Sequence, residues 1–427
     1  MILALLLFAA PACWDDARMG RMAEAKACFE KLSSSRDPAE RAEGLWGLGL
    51  RKDANDAFRL AHGLSPNSPP LKTRWGRLLL EGNSPGDARD LFTEALKIDQ
   101  NYAPALVGLA LAASETFERR ALDLAQSAVK ADPKLLEARE LLATLLLEQG
   151  DQGEAASAAE EALSTRPDAL GAMATLAAID TLNDRPQSAW FARIEARNPR
   201  CAECYRHVAR MLVLNRRYPE AISYYRKALE LNPGLHAARA ELGVNLMRTG
   251  EAAQARKELA AAYDAGYRSA ITANSLQLLD TLQKFNVYET PRAVIKLSPK
   301  EAALLKPYVE REAERALATF EKKYGYKLPG KVTIELYPDH DDFAVRTMGL
   351  PGLGILGVCF GLSVAMDSPS ARPPGQFHWA STLWHELSHV YALTMTNFRV
   401  PRWFTEGLSV HEETATDPTW GDRLTPD

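Results

Sequence analysis

A repeat with a period of about 34 residues constrains the fold of most of this chain. Each copy carries a small residue, further small or apolar residues four and seven positions later, and in most copies a closing Pro. The first small residue of the copies is Ala54, Ala88, Ala121, Ala155, Ala221 and Ala255. Small side chains let two helices approach closely, and Pro prevents a helix from continuing. The repeat therefore predicts an all-α solenoid over residues 15–284.

The clearest copy runs from Tyr218 to Pro233, and its spacing is similar to that of the tetratricopeptide repeat. The resemblance implies about seven repeats, the first of them incomplete, in a superhelix whose concave face binds a protein or peptide partner. The periodicity by itself indicates only a helical solenoid. A spacer or dimer scaffold without a ligand groove is therefore the alternative.

A second pattern, near the end of the chain, is typical of a metal-binding site. The segment WHELSH contains an HExxH signature inside an apolar stretch without Gly or Pro. Residues four apart share one face of a helix, so His385 and His389 can bind one metal ion. Glu386 lies beside them and can accept a proton from metal-activated water, and Glu406 in the next predicted helix is the candidate third ligand. Three protein ligands and one open position are typical of catalytic zinc. The alternative is two histidines on an ordinary core helix.

The segments HELSHVYAL and PRWFTEGLSVHEE resemble the gluzincin metallopeptidases, especially the peptidase MA-like domains. The resemblance covers about residues 286–427 and implies an α+β, zincin-like fold. It implies one Zn²⁺ per chain, bound by His385, His389 and Glu406, with Glu386 as the general base. The family continues with further helices, so we expect residues 285–427 to be an incomplete domain, with the oxyanion-stabilising residue beyond Asp427.

Two further features of this region bear on the site. The family's order of elements implies that the strand before the HExxH helix pairs with the substrate backbone. The candidate substrate strand is Gly357, Val358, Cys359, Phe360 and Gly361. The alternative for this glycine-bearing segment is a buried hairpin. Glu413, two turns beyond Glu406, could orient a ligand histidine, or it could belong to a solvated charge cluster.

The N-terminal segment 1–14 is a candidate signal peptide. Residues 2–10 are apolar, and Ala-Pro-Ala at 10–12 fits a cleavage site. Cys13 follows directly, which indicates lipoprotein processing, so a membrane tether is expected only if Cys13 is lipidated. We therefore expect an extracytoplasmic protein, periplasmic or secreted. The segment lacks the positively charged residues with which a signal peptide usually begins. A cytoplasmic location is therefore the alternative.

Composition excludes other classes. The formal net charge is −4 and no polybasic block is present, which argues against nucleic-acid binding. Five cysteines are too few for a disulfide scaffold. We expect Cys28 and Cys359 to be small core residues. The isolated pair Cys201 and Cys204 is expected to pack locally or to form a disulfide, because no further metal ligands accompany it.

The sequence thus predicts a multi-domain protein, with a signal segment at 1–14, a repeat array at 15–284 and a metallopeptidase domain at 285–427. The predicted function is a zinc-dependent peptidase that acts on a peptide or protein substrate. A non-catalytic interaction scaffold with a vestigial or incomplete protease domain is the main alternative. A metal-dependent hydrolase of a non-peptide amide is the third hypothesis.

Overall fold

The computed structural model of this protein describes residues 12–114, 118–185, 187–352, 354–373, 377–417 and 420. The apolar segment 2–10, on which the predicted signal peptide depends, lies outside the described residues. Within the described ranges, no helix combines the length and the apolar character that crossing a membrane requires.

As far as the structure describes it, the chain up to residue 282 consists of helices joined by turns. The bounds are Ala12–Arg18 (α1), Met22–Ser33 (α2), Pro38–Gly47 (α3), Arg51–Leu64 (α4), Pro69–Glu81 (α5), Pro85–Ile98 (α6), Ala103–Ser114 (α7), Arg120–Ala131 (α8), Leu136–Glu148 (α9), Gln152–Thr165 (α10), Leu170–Leu182 (α11), Ala189–Arg197 (α12), Ala202–Leu214 (α13), Tyr218–Leu231 (α14), His236–Arg248 (α15), Ala252–Asp264 (α16) and Ala270–Leu282 (α17). In sequence order these are eight helix pairs followed by α17, rather than the seven repeats predicted. The six repeat alanines are at most 4% exposed, as their role in close helix packing requires. The predicted all-α solenoid is confirmed.

The first helix pair changes two expectations about the N-terminal region. Cys13 and Trp14, which fall inside the predicted signal segment 1–14, belong to α1 and are packed into the first pair. Cys13 forms a disulfide with Cys28, and a sulfur in a disulfide cannot carry a lipid. A tether was expected only if Cys13 is lipidated, and the disulfide does not meet that condition, while Cys28 is a disulfide partner rather than a free core residue. Cys201 and Cys204 also form a disulfide.

The chain divides into two compact units, and the division does not follow the predicted boundary at 284/285. One unit comprises Met1–Met211 with Glu230–Asn232, and the other comprises Leu212–Leu229 with Pro233–Asp427. The second unit contains the last repeat helices together with every described strand. It extends into the array because these helices contact the region that follows. The Arg248 guanidinium, for example, donates to the carbonyl oxygen of Thr347 at 3.0 Å.

The second unit contains a mixed α/β region after α17. Its elements are Asn286–Glu289 (β1), Ala293–Leu297 (β2), Ala302–Tyr324 (α18), Val332–Tyr337 (β3), His340–Met348 (α19), Gly357–Cys359 (β4), Ser363–Asp367 (β5), Trp379–Met395 (α20) and Arg402–Thr416 (α21). The strands form one sheet in the order β1-β2-β3-β5-β4. Strands β2, β3 and β5 are parallel, and β1 and β4 pair antiparallel at the two edges. The zincin-like identity of this region remains a prediction.

Helices α18 and α20 pack together and against the sheet. Phe320 of α18 makes edge contacts with Trp384 and Tyr391 of α20, at centroid distances of 5.3 and 5.7 Å. Large aromatic side chains bury much apolar surface, and edge-to-face pairs add about 0.5–1.5 kcal/mol each. This aromatic cluster fixes one face of α20 in the core, so its other face is available for the site.

A buried charge cluster lies on the same sheet. Glu335 of β3 accepts hydrogen bonds from Arg346 Nε at 2.7 Å, Lys296 Nζ at 3.0 Å and the Tyr337 hydroxyl at 2.9 Å. Burial by itself raises the pKa of Glu335, but the charges of Arg346 and Lys296 outweigh it and lower the pKa to about 2. The ionised carboxylate therefore stabilises the fold.

Glu335→Gln should destabilise the protein in a pH-dependent manner. The folded-state pKa lies below the ordinary value of 4.5, so the carboxylate stabilises fully above about pH 4.5 and loses its effect as pH falls through about 2. A shift of this size corresponds to about 3 kcal/mol. We expect the difference in unfolding free energy between wild type and variant, from urea titrations, to shrink by that amount across this window. The exposed Glu289, paired with Lys331, supplies the control Glu289→Gln. A difference that stays constant with pH would contradict the prediction.

Candidate metal centre

Helix α20 carries the HExxH segment and is well defined at both ends. His378 precedes it, and its Nδ1 accepts a hydrogen bond from the backbone N–H of Ser381 at 3.1 Å. The helix ends where Asn397 and Phe398 adopt left-handed backbone conformations. No Gly or Pro interrupts it, so the helix is continuous and has one face in the core and one face at the site. The face opposite the aromatic cluster carries His385, Glu386 and His389.

Helix α21 packs against α20 and brings in the third candidate ligand. Its buried Glu412 accepts hydrogen bonds from Lys323 Nζ at 2.7 and 2.8 Å and from the Tyr324 hydroxyl at 2.7 Å. Both donors belong to α18, so α21 is held to α18 as well as to α20. Because Glu412 is anchored in this way, the Glu406 and Glu413 side chains of the same helix reach α20.

The three predicted ligands converge. Nε2 of His385 and Nε2 of His389 are 3.1 Å apart, and Oε2 of Glu406 lies 3.4 Å from each of them. One ligand atom from each residue lies within 4.8 Å of the other two. Three donor atoms at these separations could contact one cation placed between them. The sequence-predicted set of His385, His389 and Glu406 is therefore brought together.

The outer nitrogens of both histidines are hydrogen-bonded. Nδ1 of His385 donates to Oε1 of Glu413 at 2.6 Å. Nδ1 of His389 is 2.7 Å from the Thr405 hydroxyl and 3.2 Å from the Ser409 hydroxyl. Such partners fix the ring orientation and leave Nε2 free to bind a metal. Glu413 thus contacts a candidate ligand, as one of its two interpretations predicted, and does not belong to a solvated cluster.

Burial and charge set the protonation of the site. Burial raises the pKa of Glu386 to about 7, with only partial compensation from His385. Burial also lowers the pKa of His389. For His385, burial acts in the same direction, but the hydrogen bond to Glu413 and the nearby carboxylates outweigh it, so the pKa is raised. The hydrogen bond with His389 is the largest cause that lowers the pKa of Glu406.

A cavity of about 470 Å³ opens over these residues. One wall is the polar face of α20, and the facing wall includes residues 354–359 and hence strand β4. Gly357, Val358 and Cys359 of the predicted substrate strand line the cavity and lie on an edge strand, and their pairing with a substrate stays a prediction. The hairpin alternative also holds, because β4 turns directly into β5.

The predicted substrate strand is wrong for its last two residues. Phe360 is buried against the Tyr218 ring, at a centroid distance of 5.6 Å, and does not line the cavity. Gly361 has a φ of +100° in the turn to β5, a conformation that glycine adopts easily. Both residues end the strand because the chain must reverse here.

Sequence reasoning missed several residues of the centre. Thr405 and Ser409 could have been found, since they flank Glu406 on one helix. Arg216 and Arg402 also line the cavity, and Nη2 of Arg216 donates to Oε1 of Glu406 at 3.2 Å. Arg216 lies in the turn between α13 and α14, far from Glu406 in the sequence. Only the fold brings these two residues together.

Family comparisons match the repeat region. One tetratricopeptide repeat model matches residues 212–270, and another matches residues 119–169 and 187–236. The chain contains tetratricopeptide repeats. The matched segments end at residue 270 and therefore give no information about the α/β region. Among curated proteins, none matches the sequence.

Several solved repeat proteins are similar to part of the chain. A tetratricopeptide repeat protein from Parabacteroides merdae is 17% identical over 60% of this chain and 99% of its own, with a TM-score of 0.40. TTC0263 from Thermus thermophilus is 16% identical over 49% of this chain and 98% of its own, with a TM-score of 0.33. YrrB, described as having an unusual peptide-binding site, is 17% identical over 43% and 96% of the two chains, with a TM-score of 0.29.

Gly357→Ala should disturb the site. A Cβ at this position would lie 2.7 Å from Oε1 and 2.8 Å from Cγ of Glu386. Overpacking a buried contact costs about 1–3 kcal/mol, and because the contacted atoms end a side chain that lines the cavity, we expect the unfolding free energy to fall by about 1 kcal/mol in urea titrations. The matched control is Gly354→Ala, because a Cβ there meets nothing within 4 Å. Equal stability of the two variants would show that Glu386 is not held against β4.

Proposed function

We propose that this protein is a zinc-dependent peptidase whose tetratricopeptide repeats bind a protein partner. One observation carries the enzymatic part of the proposal. Nε2 of His385, Nε2 of His389 and Oε2 of Glu406 converge on one point, while the outer nitrogen of each histidine is hydrogen-bonded. Hydrogen bonds that orient both rings are typical of metal-binding histidines and support the proposal.

The donor set fits zinc. Two imidazoles and one carboxylate are a ligand set of catalytic zinc sites, with a fourth position for water or substrate. A bound zinc ion would supply a Lewis acid that activates water and polarises a carbonyl. His385, His389 and Glu406 would hold it, with one ion per chain. Glu413, Thr405 and Ser409 would maintain the orientation of the histidines.

Glu386 would act as general base and then as general acid. Glu386 lies between the two histidines in the sequence, and its carboxylate lines the cavity and faces β4. It is therefore next to the position that a substrate amide would occupy. It would accept a proton from the attacking water and deliver it to the leaving amine. Oxyanion stabilisation is not assigned to any described residue.

The edge strand β4 would bind the substrate backbone. An extended peptide can add to a sheet edge through main-chain hydrogen bonds. Residues Gly357 and Val358 lie on such an edge and line the same cavity as the candidate ligands. This arrangement favours a peptide over a small amide as the substrate.

We further propose an extracytoplasmic location. The Cys13–Cys28 and Cys201–Cys204 disulfides support it, because disulfides persist mainly in oxidising compartments. The competing proposal for the whole protein is a non-catalytic tetratricopeptide scaffold. Its support is that the matched family models cover repeats alone.

Glu386→Gln should separate the two proposals. We expect wild type and variant each to bind about one zinc ion, while the variant cleaves peptides about 10²- to 10⁴-fold more slowly because the proton acceptor is lost. Zinc content is measured by mass spectrometry and cleavage with a broad fluorogenic peptide library. Glu289→Gln, at an exposed glutamate outside the cavity, is the control. Unchanged cleavage would remove Glu386 from the mechanism, and a wild type that binds zinc without cleaving any peptide would favour the scaffold.

Glu413→Ala should weaken zinc binding. Loss of the 2.6 Å hydrogen bond frees the His385 ring, and loss of such a partner typically reduces metal affinity about 10- to 100-fold. The zinc Kd is measured by competition with a chromophoric chelator. His411→Ala, at an exposed position on the same helix, should leave the Kd unchanged. Equal Kd values for all three proteins would contradict the role given to Glu413.

A further inference from the structure

The turns inside the helix pairs share one backbone feature. In each of them, as far as the structure describes these turns, a residue has a left-handed conformation with positive φ. These residues are Gly20, Gly49, Asn83, Gly150, Asp184, Arg216 and Gly250. Gly, Asn and Asp are the residues that tolerate this conformation. Arg216, with a φ of +60°, is the exception.

A long side chain at such a position costs backbone energy, so a compensating contact is expected. The contact is at the candidate metal centre. Nη2 of Arg216 donates to Oε1 of Glu406 at 3.2 Å, and the side chain is about three-quarters buried. Arg402 approaches the same oxygen only to 3.6 Å, and its side chain is 80% exposed. Arg216 is therefore the defined partner of Glu406.

The turn itself is fixed within the second compact unit. Tyr218, two residues after Arg216, packs its ring edge-on against Phe360. The guanidinium of Arg248 lies over both rings, at 5.9 Å from each centroid. These contacts hold the turn beside the end of β4. The position of Arg216 is thus set by packing that does not involve Glu406.

The two oxygens of Glu406 have different neighbours. Oε1 accepts from Arg216, and Oε2 lies 3.4 Å from the Nε2 atoms of His385 and His389. A carboxylate with one oxygen engaged by a guanidinium can offer the other oxygen as a single donor. Each of the three candidate ligands therefore has its own orienting partner, and the partner of Glu406 comes from the repeat array.

We propose that Arg216 is a positioning residue, which engages Oε1 of Glu406 and so leaves Oε2 as the oxygen that would bind a metal. The repeat array is then a structural part of the metal centre as well as a surface for partners. The inference rests on the proposed zinc site, but it does not require that the protein cleaves peptides.

Arg216→Gly is the informative substitution. Glycine occupies the equivalent turn position in other helix pairs and adopts positive φ without strain, so the variant removes the guanidinium and keeps the turn. We expect the zinc Kd, from chelator competition, to rise about 10- to 100-fold. We also expect the visible spectrum of the cobalt-substituted protein to lose intensity, because Glu406 can then bind through both oxygens and raise the coordination number. Arg216→Lys, which keeps one donor and the charge, should restore part of the affinity.

Asn83→Gly is the matched control, because it also introduces a glycine at the equivalent turn of another helix pair, outside the cavity. Its Kd and cobalt spectrum should equal those of wild type. If Arg216→Gly also equals wild type in both measurements, the positioning role is overturned while the zinc site stands. If wild type binds no zinc, both proposals fall. If wild type binds zinc but cleaves no peptide, the peptidase proposal fails. The zinc Kd values of wild type, Arg216→Gly and Asn83→Gly then decide the role of Arg216.

Discussion

Helix α20 packs one face against α18 and lines the cavity with the other, and the candidate centre depends on this packing. Its aromatic residues Trp384 and Tyr391 contact Phe320 of α18, while the opposite face lines the cavity. Because the aromatic contacts fix the rotation of the helix, they also fix the directions of the two imidazoles. Helix α21 is then placed by Glu412, which is hydrogen-bonded to Lys323 and Tyr324 of the same α18. A single helix, α18, therefore positions both ligand-bearing helices, so the donor geometry depends on core packing.

The features that the sequence predicted are local in the chain. The HExxH spacing places His385 and His389 on one helix face wherever the helix lies, and the repeat alanines mark helix contacts between near neighbours. The contact of Glu413 with a ligand histidine could also be predicted, because Glu413 follows Glu406 by about two helical turns. These predictions rest on helical periodicity, which does not depend on the tertiary fold.

The features that the sequence did not predict depend on contacts between distant segments. The pairing of Arg216 with Glu406 requires the last repeats to pack beside the α/β region, and no periodicity encodes that packing. The same packing explains the error at Phe360, which contacts Tyr218 rather than the cavity. It also explains why the compact unit begins at Leu212 and not at 285. One local sign was available: an arginine stands where other turns of the array have Gly, Asn or Asp.

The short edge strand β4 has a consequence for the substrates of the proposed peptidase. Addition to this edge requires a segment whose backbone groups are not already engaged in a helix or sheet. Native domains offer few such segments, because their main-chain hydrogen bonds are mostly satisfied internally. Under the proposed function, susceptible bonds would therefore lie in unstructured tails, long connecting loops or damaged chains. The conformational state of a target, more than its side chains, would then decide whether it is cut.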